Sequence, residues 1–494
     1  MLAMRQEVAP PEGWGFTDEL WAQIPLAAQI IISTMARKQA QEIAELKARV
    51  SALEARLNIN STNSSKPPSS DPPGMSRLKK PLSHRKRGGQ PGHPGNFRMM
   101  HAHPDVVIDY HIGTCDQCGL ALPAGPSEMT PVLHQVTELP EPRALVTEHR
   151  LYRKQCLDCG HISTPVLPTE LSVSSFGPRL ETTVALLAGR YRLSHREICH
   201  YLEHQWNATI GLGSVAAILR RVSVALIHPF EDAWSEVQKS AVRYVDETGW
   251  RESNKRGWLW TAVGEKATAF HVAGTRGSIE LETCFGNALE QGIFVSDRCR
   301  SYKVIDLSRR GICHAHLKRD FVKMTEFGHR LGKEIGHAAL AVHKKIFKLY
   351  HRFEVGEMTR ELLMQRMLRH ERELRRLLER GRDAKRILGK GAQNLQGMCR
   401  DILWHWPALW SFVNVDGVAP TNNAAERALR KAVLWRKGSF GTQSAGGSRF
   451  VERILTVTQT CVQKKLHAAR YIENAVRSVR GGLTPQSLMV SATS

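Results

Sequence analysis

Three acidic side chains carry the most specific chemistry in this sequence. The stretch SAVRYVDETGW alternates apolar and polar residues and ends in Asp246, Glu247 and Thr248, and QGIFVSDRCRSYK is a second apolar run that delivers Asp297 at its tip. Such runs predict strands. Two aspartates at adjacent strand ends can share a divalent cation, and a third carboxylate arriving on a later helix completes a two-metal site for phosphoryl transfer. Hard oxygen ligands select Mg²⁺ or Mn²⁺ over zinc. Strand alternation points Glu247 away from Asp246, so Glu247 is not a ligand in this reading.

The third carboxylate is Glu426, in TNNAAERALRKAVLWRKGSF. A helix over 423–437 buries a stripe of Ala425, Leu429, Ala432 and Val433 and sets Glu426, Arg430 and Lys437 along one flank. Glu426 then reaches the metal while Arg430 and Lys437 meet the phosphates beside it, and Asn423 and Arg427 are further auxiliary candidates of the active site. The alternative for this stretch is an asparagine cap with an internal ion pair.

Four cysteines carry a different chemistry. Cys115 and Cys118 in CDQC, and Cys156 and Cys159 in CLDC, have the two-residue spacing that lets paired thiolates reach one tetrahedral zinc. Gly160 follows the second pair, as a zinc knuckle prefers. VLHQVTELP and ALVTEHRLYRKQC supply strand-like runs to return the chain between the pairs. With four thiolates filling its sphere, this zinc is structural. A redox dithiol is the rival and lacks its usual βαβ setting.

These groups sit in a chain of 494 residues with a net charge of +22. That length predicts several domains, and the basic excess favours a polyanionic partner, nucleic acid before membrane. The opening MLAMRQEVAPPEG lacks the apolar stretch of a secretory signal. Ten cysteines, mostly scattered, are no disulfide scaffold and fit a reducing cytoplasm.

The elements that must position the chemistry follow in order. Residues 26–57 read as helix, with Ile43, Leu46, Val50, Leu53 and Leu57 at steps of three and four. This predicts a short coiled coil and hence a dimer; an amphipathic helix docked on its own domain is the alternative. Residues 58–104 form a Ser/Pro-rich, then basic, linker. It has no acid between Pro72 and Pro104, and Arg77, Lys79, Lys80, Arg85, Lys86, Arg87 and Arg98 either lie along phosphates or are simply solvated.

Residues 105–175 are the four-cysteine module. Residues 176–235 hold a helix pair capped at Ser194 and Ser214, either a helix-turn-helix reading DNA with Arg220 and Arg221 or part of an all-helical core. Residues 240–321 carry an antiparallel trio, then the strand with the second aspartate, then helix, the order of an RNase H-like core. Residues 322–415 are a helical insertion long enough for its own subdomain, with Trp404, Trp406 and Trp410 as packing residues. Residues 416–480 return to the core with the Glu426 helix, and 481–494 are a tail. The fold class is multidomain α/β: a mixed sheet flanked by helices, preceded by coiled coil, zinc module and helical region.

SSKPPSSDPP, RGGQPGHPG, the paired cysteines, VDETGW, SDRCRSY, CHAHLKRDF and NNAAERALRKAVLWRKGSF occur in one order. Through these motifs the chain resembles bacterial transposases of the insertion sequence 66 family over nearly its whole length. The resemblance implies a DDE triad of Asp246, Asp297 and Glu426, with His316 and Arg319 in the active-site neighbourhood. It also implies a DNA transposase that cuts element ends and joins them to target DNA, using two Mg²⁺ or Mn²⁺. Double-stranded DNA, as terminal inverted repeats and target, would be the partner of a homodimer or higher synaptic oligomer. Small accessory proteins of the element are further expected partners, no membrane is involved, and the setting is the bacterial cytoplasm at the nucleoid. Thr421 stands where the family usually has Asp. The rival functions are a structure-selective nuclease on the same core and a non-catalytic DNA-binding regulator.

Overall fold

Local sequence rules account for most element boundaries. The computed structural model describes residues 9–60, 64–66, 71, 98–123, 125, 129–384 and 390–490. Thr17 caps the short helix α1 (Asp18–Ala22) by accepting from the Leu20 N–H. After Pro25, α2 (Leu26–Leu57) runs without a glycine or proline to break it. Ile43, Leu46, Val50, Leu53 and Leu57 on its second half are 44–77% exposed. Two short strands, β1 (Lys154–Gln155) and β2 (Ile162–Ser163), pair antiparallel. The expected strands in VLHQVTELP and ALVTEHRLYRKQC do not form before Lys154. Val132, Val136, Leu145 and Val146 there are exposed and have no sheet to join.

The helical region begins with α3 (Thr169–Ser172) and α4 (Pro178–Gly189), which carries proline in its first turn. α5 (His195–Trp206) opens with a full capping box, Ser194 and Glu197 each bonding the other's backbone N–H, and ends on Asn207 in the left-handed region. α6 (Leu212–Ala225) starts after Gly211, so Ser214 lies inside its first turn and is not the cap expected of it. α7 (Ile227–Lys239) follows.

The sheet is built from β3 (Val242–Glu252), β4 (Lys255–Val263), β5 (Thr268–Ala273), β6 (Ile293–Ser296) and β7 (Arg310–Ile312), in the order β5-β4-β3-β6-β7. The first three form an antiparallel meander, and β6 and β7 run parallel to β3. β3 does not end at Asp246–Thr248 as its sequence suggested. It continues to Glu252 because β4 pairs with it from Tyr244 to Glu252, closing through Ser253 and Asn254 at φ 47° and 65°. Its parallel partner β6 reaches only Tyr244, so Asp246 emerges just beyond the parallel pairing.

α8 (Ile279–Phe285) lies between β5 and β6. After β7 come α9 (His314–Thr325), α10 (Arg330–Glu354), α11 (Arg360–Arg382), α12 (Lys390–Trp404), α13 (Trp406–Leu409) and α14 (Ser411–Asn414). These helices do not make a separate subdomain. Val295 and Ile312 of the sheet share one core with Phe321, Ile335, Met367, Leu395 and Phe412. Trp410 is buried in that core and Trp406 packs on it, but Trp404 is 46% exposed, with Lys303 Nζ 5.1 Å above its ring.

The chain closes with α15 (Asn423–Ser439), α16 (Ala445–Gln463) and α17 (Ala468–Arg480). It divides into two compact units, 1–78 with 234–436 and 79–233 with 437–494. The sheet-bearing unit therefore ends at Arg436, short of the expected 480. α16 and α17 pack with α4 and α6 instead, burying Phe450, Val451, Ile454, Leu455, Ile472 and Val476. Inside that second unit the buried Glu181 holds two arginines, Arg221 at 2.6 Å and Arg480 at 2.7 Å. Among the described residues no single helix is long and apolar enough to cross a membrane.

Candidate active site

The parallel strands carry the acidic residues to one end. Asp246 stands two residues past the last β3 position paired with β6, and Asp297 directly follows β6. Glu426 lies in the first turn of α15. Burial, then the charges of Glu247 and Asp297, raise Asp246 well above the usual carboxylate range, and Glu426 adds to the shift. Burial and Asp297 also raise Glu426, against the pull of Arg319. The three acids thus feel one another, yet they do not converge on a single point. Among the described residues, Cys313, His316 and Glu426 are the sole group of three or more whose ligand atoms all fall within 4.8 Å of one another.

Two of the acids are held by backbone. Asp297 accepts from the Cys299 N–H at 2.8 Å, and Asp246 accepts from the Glu247 N–H at 3.0 Å. The fully buried Arg310 donates to the Asp297 carbonyl at 2.9 Å, and desolvation lowers its guanidinium to about 10. Among the described residues no lysine or arginine forms an ion pair with Asp246, Asp297 or Glu426. His316 has Nδ1 3.7 Å from Glu426 Oε1, beyond a hydrogen bond. Burial, reinforced by Arg319, pushes this imidazole down to about 4, so it is neutral at neutral pH.

The neighbouring acids are treated differently. Glu247, one residue from Asp246 on the opposite face, is buried and paired with Arg276 at 2.5 Å and with the Tyr302 hydroxyl. Arg298 joins Asp320 at 2.5 Å and also reaches Asp401, tying the loop after Asp297 to α9 and α12. Nothing in the spacing of these residues announced either pairing.

Asn422 was also missed. It is fully buried, donates its side-chain amide to the Val245 carbonyl at 2.8 Å, and its backbone N–H meets Cys313 Sγ at 3.1 Å. Its carbonyl accepts from the Glu426 N–H at 3.1 Å. The side chain therefore clamps the head of α15 onto β3 beside Asp246 and does not cap the helix. Asn423, the residue expected to contribute, is exposed. Arg436 adds a second clamp, donating to Thr248 Oγ1 at 3.0 Å and to the Gly249 carbonyl at 2.6 Å.

Residues 174–449 match the family described as Transposase IS66 family. The chain belongs to the IS66 transposase family. Residues 17–99 separately match a Family of unknown function (DUF6444). No curated protein matches the chain.

In this transposase-family chain the remaining expected residues fall out as follows. Arg427 and Arg430 are exposed on α15, as is Lys437 where the helix passes into the second unit. Arg319 is half-buried on α9. The expected DNA contacts Arg77, Lys79, Lys80, Arg85, Lys86 and Arg87 lie outside the described residues. Arg98 is exposed and bonds the Thr137 hydroxyl. Arg220 is exposed, but Arg221 is committed to Glu181 and to Ser174 Oγ at 2.9 Å, so it is not the free phosphate contact expected of it.

The cysteines make two similar knuckles. The Gly119 N–H donates to the Cys115 carbonyl and the Gly160 N–H to the Cys156 carbonyl, with both glycines in the left-handed region at φ 72° and 71°. Backbone N–H groups of Cys118 and Gln117 lower the Cys115 thiol, and those of Cys159 and Asp158 lower the Cys156 thiol. These two thiols are thereby prepared for metal or redox chemistry. All four cysteines are not gathered into one cluster here.

Proposed function

We propose that Asp246, Asp297 and Glu426 hold two Mg²⁺ or Mn²⁺ ions, and that the protein cuts the ends of its insertion element and joins them to target DNA. One observation carries this reading: three mutually repelling, partly buried carboxylates have no arginine or lysine paired with them, while their neighbours Glu247, Asp320 and Asp401 each do. An acid cluster left without protein cations fits a site for hard divalent ions, and its all-oxygen donor set selects Mg²⁺ or Mn²⁺. The spread of the carboxylates beyond one coordination sphere suits two ions better than one. Bound ions would polarise the scissile phosphate and lower the pKa of the attacking water or 3′-hydroxyl.

The chain's own residues supply the positioning. Asn422 and Arg436 fix the Glu426 helix on β3, and Arg310 and the Cys299 N–H fix the Asp297 loop. Exposed Arg427 and Arg430 follow Glu426 on α15, where they meet phosphates that the acids alone would repel. No serine or tyrosine nucleophile is required. The three antiparallel strands followed by two parallel ones support an RNase H-like core. The exposed apolar seam of α2 supports a coiled-coil dimer able to bring two element ends together. The two knuckles support one structural zinc, reached when they close on each other.

A strand-transfer assay with a pre-cut element end tests the function. Products joined to target DNA in Mg²⁺ support it, and hydrolysis without joining would replace it with a nuclease. Asp246→Asn and Glu426→Gln should abolish joining while DNA binding persists. Transposition that survives both changes would leave only a DNA-binding role.

A further inference from the structure

Cys313 ends the β7 connection, fully buried, immediately before α9. His316 lies one turn on, and Glu426 faces both from α15. The Cys313 Sγ, a His316 ring nitrogen and a Glu426 oxygen all fall within 4.8 Å of one another. Ligands around a tetrahedral zinc sit roughly 3.3–3.7 Å apart, given bond lengths of about 2.0–2.3 Å. The His316–Glu426 separation of 3.7 Å lies just beyond that expected of a nitrogen–oxygen pair, and side-chain rotations would have to close the set.

We propose that Cys313, His316 and Glu426 form a second cation site that takes zinc and shares Glu426 with the three-carboxylate site. A sulfur, a nitrogen and one oxygen are a borderline-soft donor set, which suits zinc and disfavours magnesium. His316 Nδ1 is buried without a hydrogen-bond partner, so it gives up no bond on meeting a cation. The Asn422 N–H at 3.1 Å from Sγ is ready to stabilise the thiolate. Binding breaks the Cys313 S–H bond, forms an S–Zn bond and releases that proton to solvent. Three protein ligands leave the fourth position open to water or a phosphate oxygen. Zinc here withdraws Glu426 from Asp246 and Asp297. That consequence rests on the catalytic reading above; the binding itself does not.

Metal-stripped full-length protein titrated with Zn²⁺ alone, against a chelating dye, tests the site. Wild type should bind one equivalent more than Cys313→Ser and one more than His316→Ala, whatever the knuckle cysteines hold. Asp246→Asn should match wild type. Because Cys313 is buried and His316 is partly exposed, the second variant, with its circular dichroism checked, guards against simple misfolding. Equal equivalents in wild type and His316→Ala would overturn the site. Zinc should also displace bound Mn²⁺, read by electron paramagnetic resonance, in wild type and not in His316→Ala. Zinc binding through Cys313 and His316 with Mn²⁺ never bound would keep this site and remove the catalytic reading instead.

Discussion

Replacing Asn422 with alanine tests how Glu426 is held. The side chain is fully buried and makes one hydrogen bond of 2.8 Å, from its amide to the Val245 carbonyl one residue before Asp246. A net hydrogen bond contributes about 1 kcal/mol, and the buried carbonyl it leaves behind brings the loss to about 1–3 kcal/mol. If that energy holds the head of α15 in place, it is also the energy that positions Glu426 for a cation. At tenfold for each 1.4 kcal/mol or so, Mn²⁺ affinity should fall roughly five- to 150-fold. The melting temperature should drop by about 2–4 °C per kcal/mol. The control is Asn423→Ala, next in sequence but exposed, which should change neither quantity. Isothermal titration with Mn²⁺ and thermal denaturation read both variants. Equal effects from the two asparagines, or unchanged Mn²⁺ affinity in Asn422→Ala, would refute the clamp.

Other outcomes follow from the same geometry. Asp246 binds its proton more tightly folded than unfolded, so without divalent ions stability should fall as pH rises from the acid range toward neutral. Asp246→Asn should flatten that fall, and a melting profile in chelator that is equally steep in both proteins would contradict it. Arg298→Ala strips Asp320 and Asp401 of their shared partner and should cost about 1–3 kcal/mol in denaturant unfolding, moderated because both acids keep some solvent. Cys118→Ser and Cys159→Ser should each release the same single structural zinc; loss from one variant alone would place the metal on one knuckle. Leu46→Glu and Leu53→Glu lie on exposed positions of α2, so they should convert a dimer to monomer in sedimentation without loss of helicity.

The parts of this fold legible in sequence were those governed by local rules. Alternation located β3, an apolar run located β6, and Ser194 marked the start of α5. What stayed hidden depended on partners distant in sequence. β3 runs past Thr248 only because β4 pairs with it, and α16 joins α4 and α6 because its apolar faces fit there. The same holds for the site. Asn422 and Asn423 are chemically identical, and only the position of Val245 decides which one is buried and bonded. Arg221 looked like a free cation until Glu181, far upstream, took it.

The way this chain spends its arginines argues for what the acid cluster is for. With a net charge of +22 it has cations to spare, and it uses several on buried acids near the site. Arg276 covers Glu247, and Arg298 covers Asp320 and Asp401. Asp246, adjacent to Glu247 in sequence, receives a backbone N–H and no such cover. An uncovered acid beside covered ones is costly to the empty protein, since each added charge raises the next. In the two-metal reading proposed above, a divalent cation would remove that cost and so stabilise the sheet-bearing unit on binding. Pairing these acids with arginine would stabilise the empty fold and close the site to metal. The selective absence of pairing is therefore what favours the proposed cation site over an ordinary buried ion-pair network.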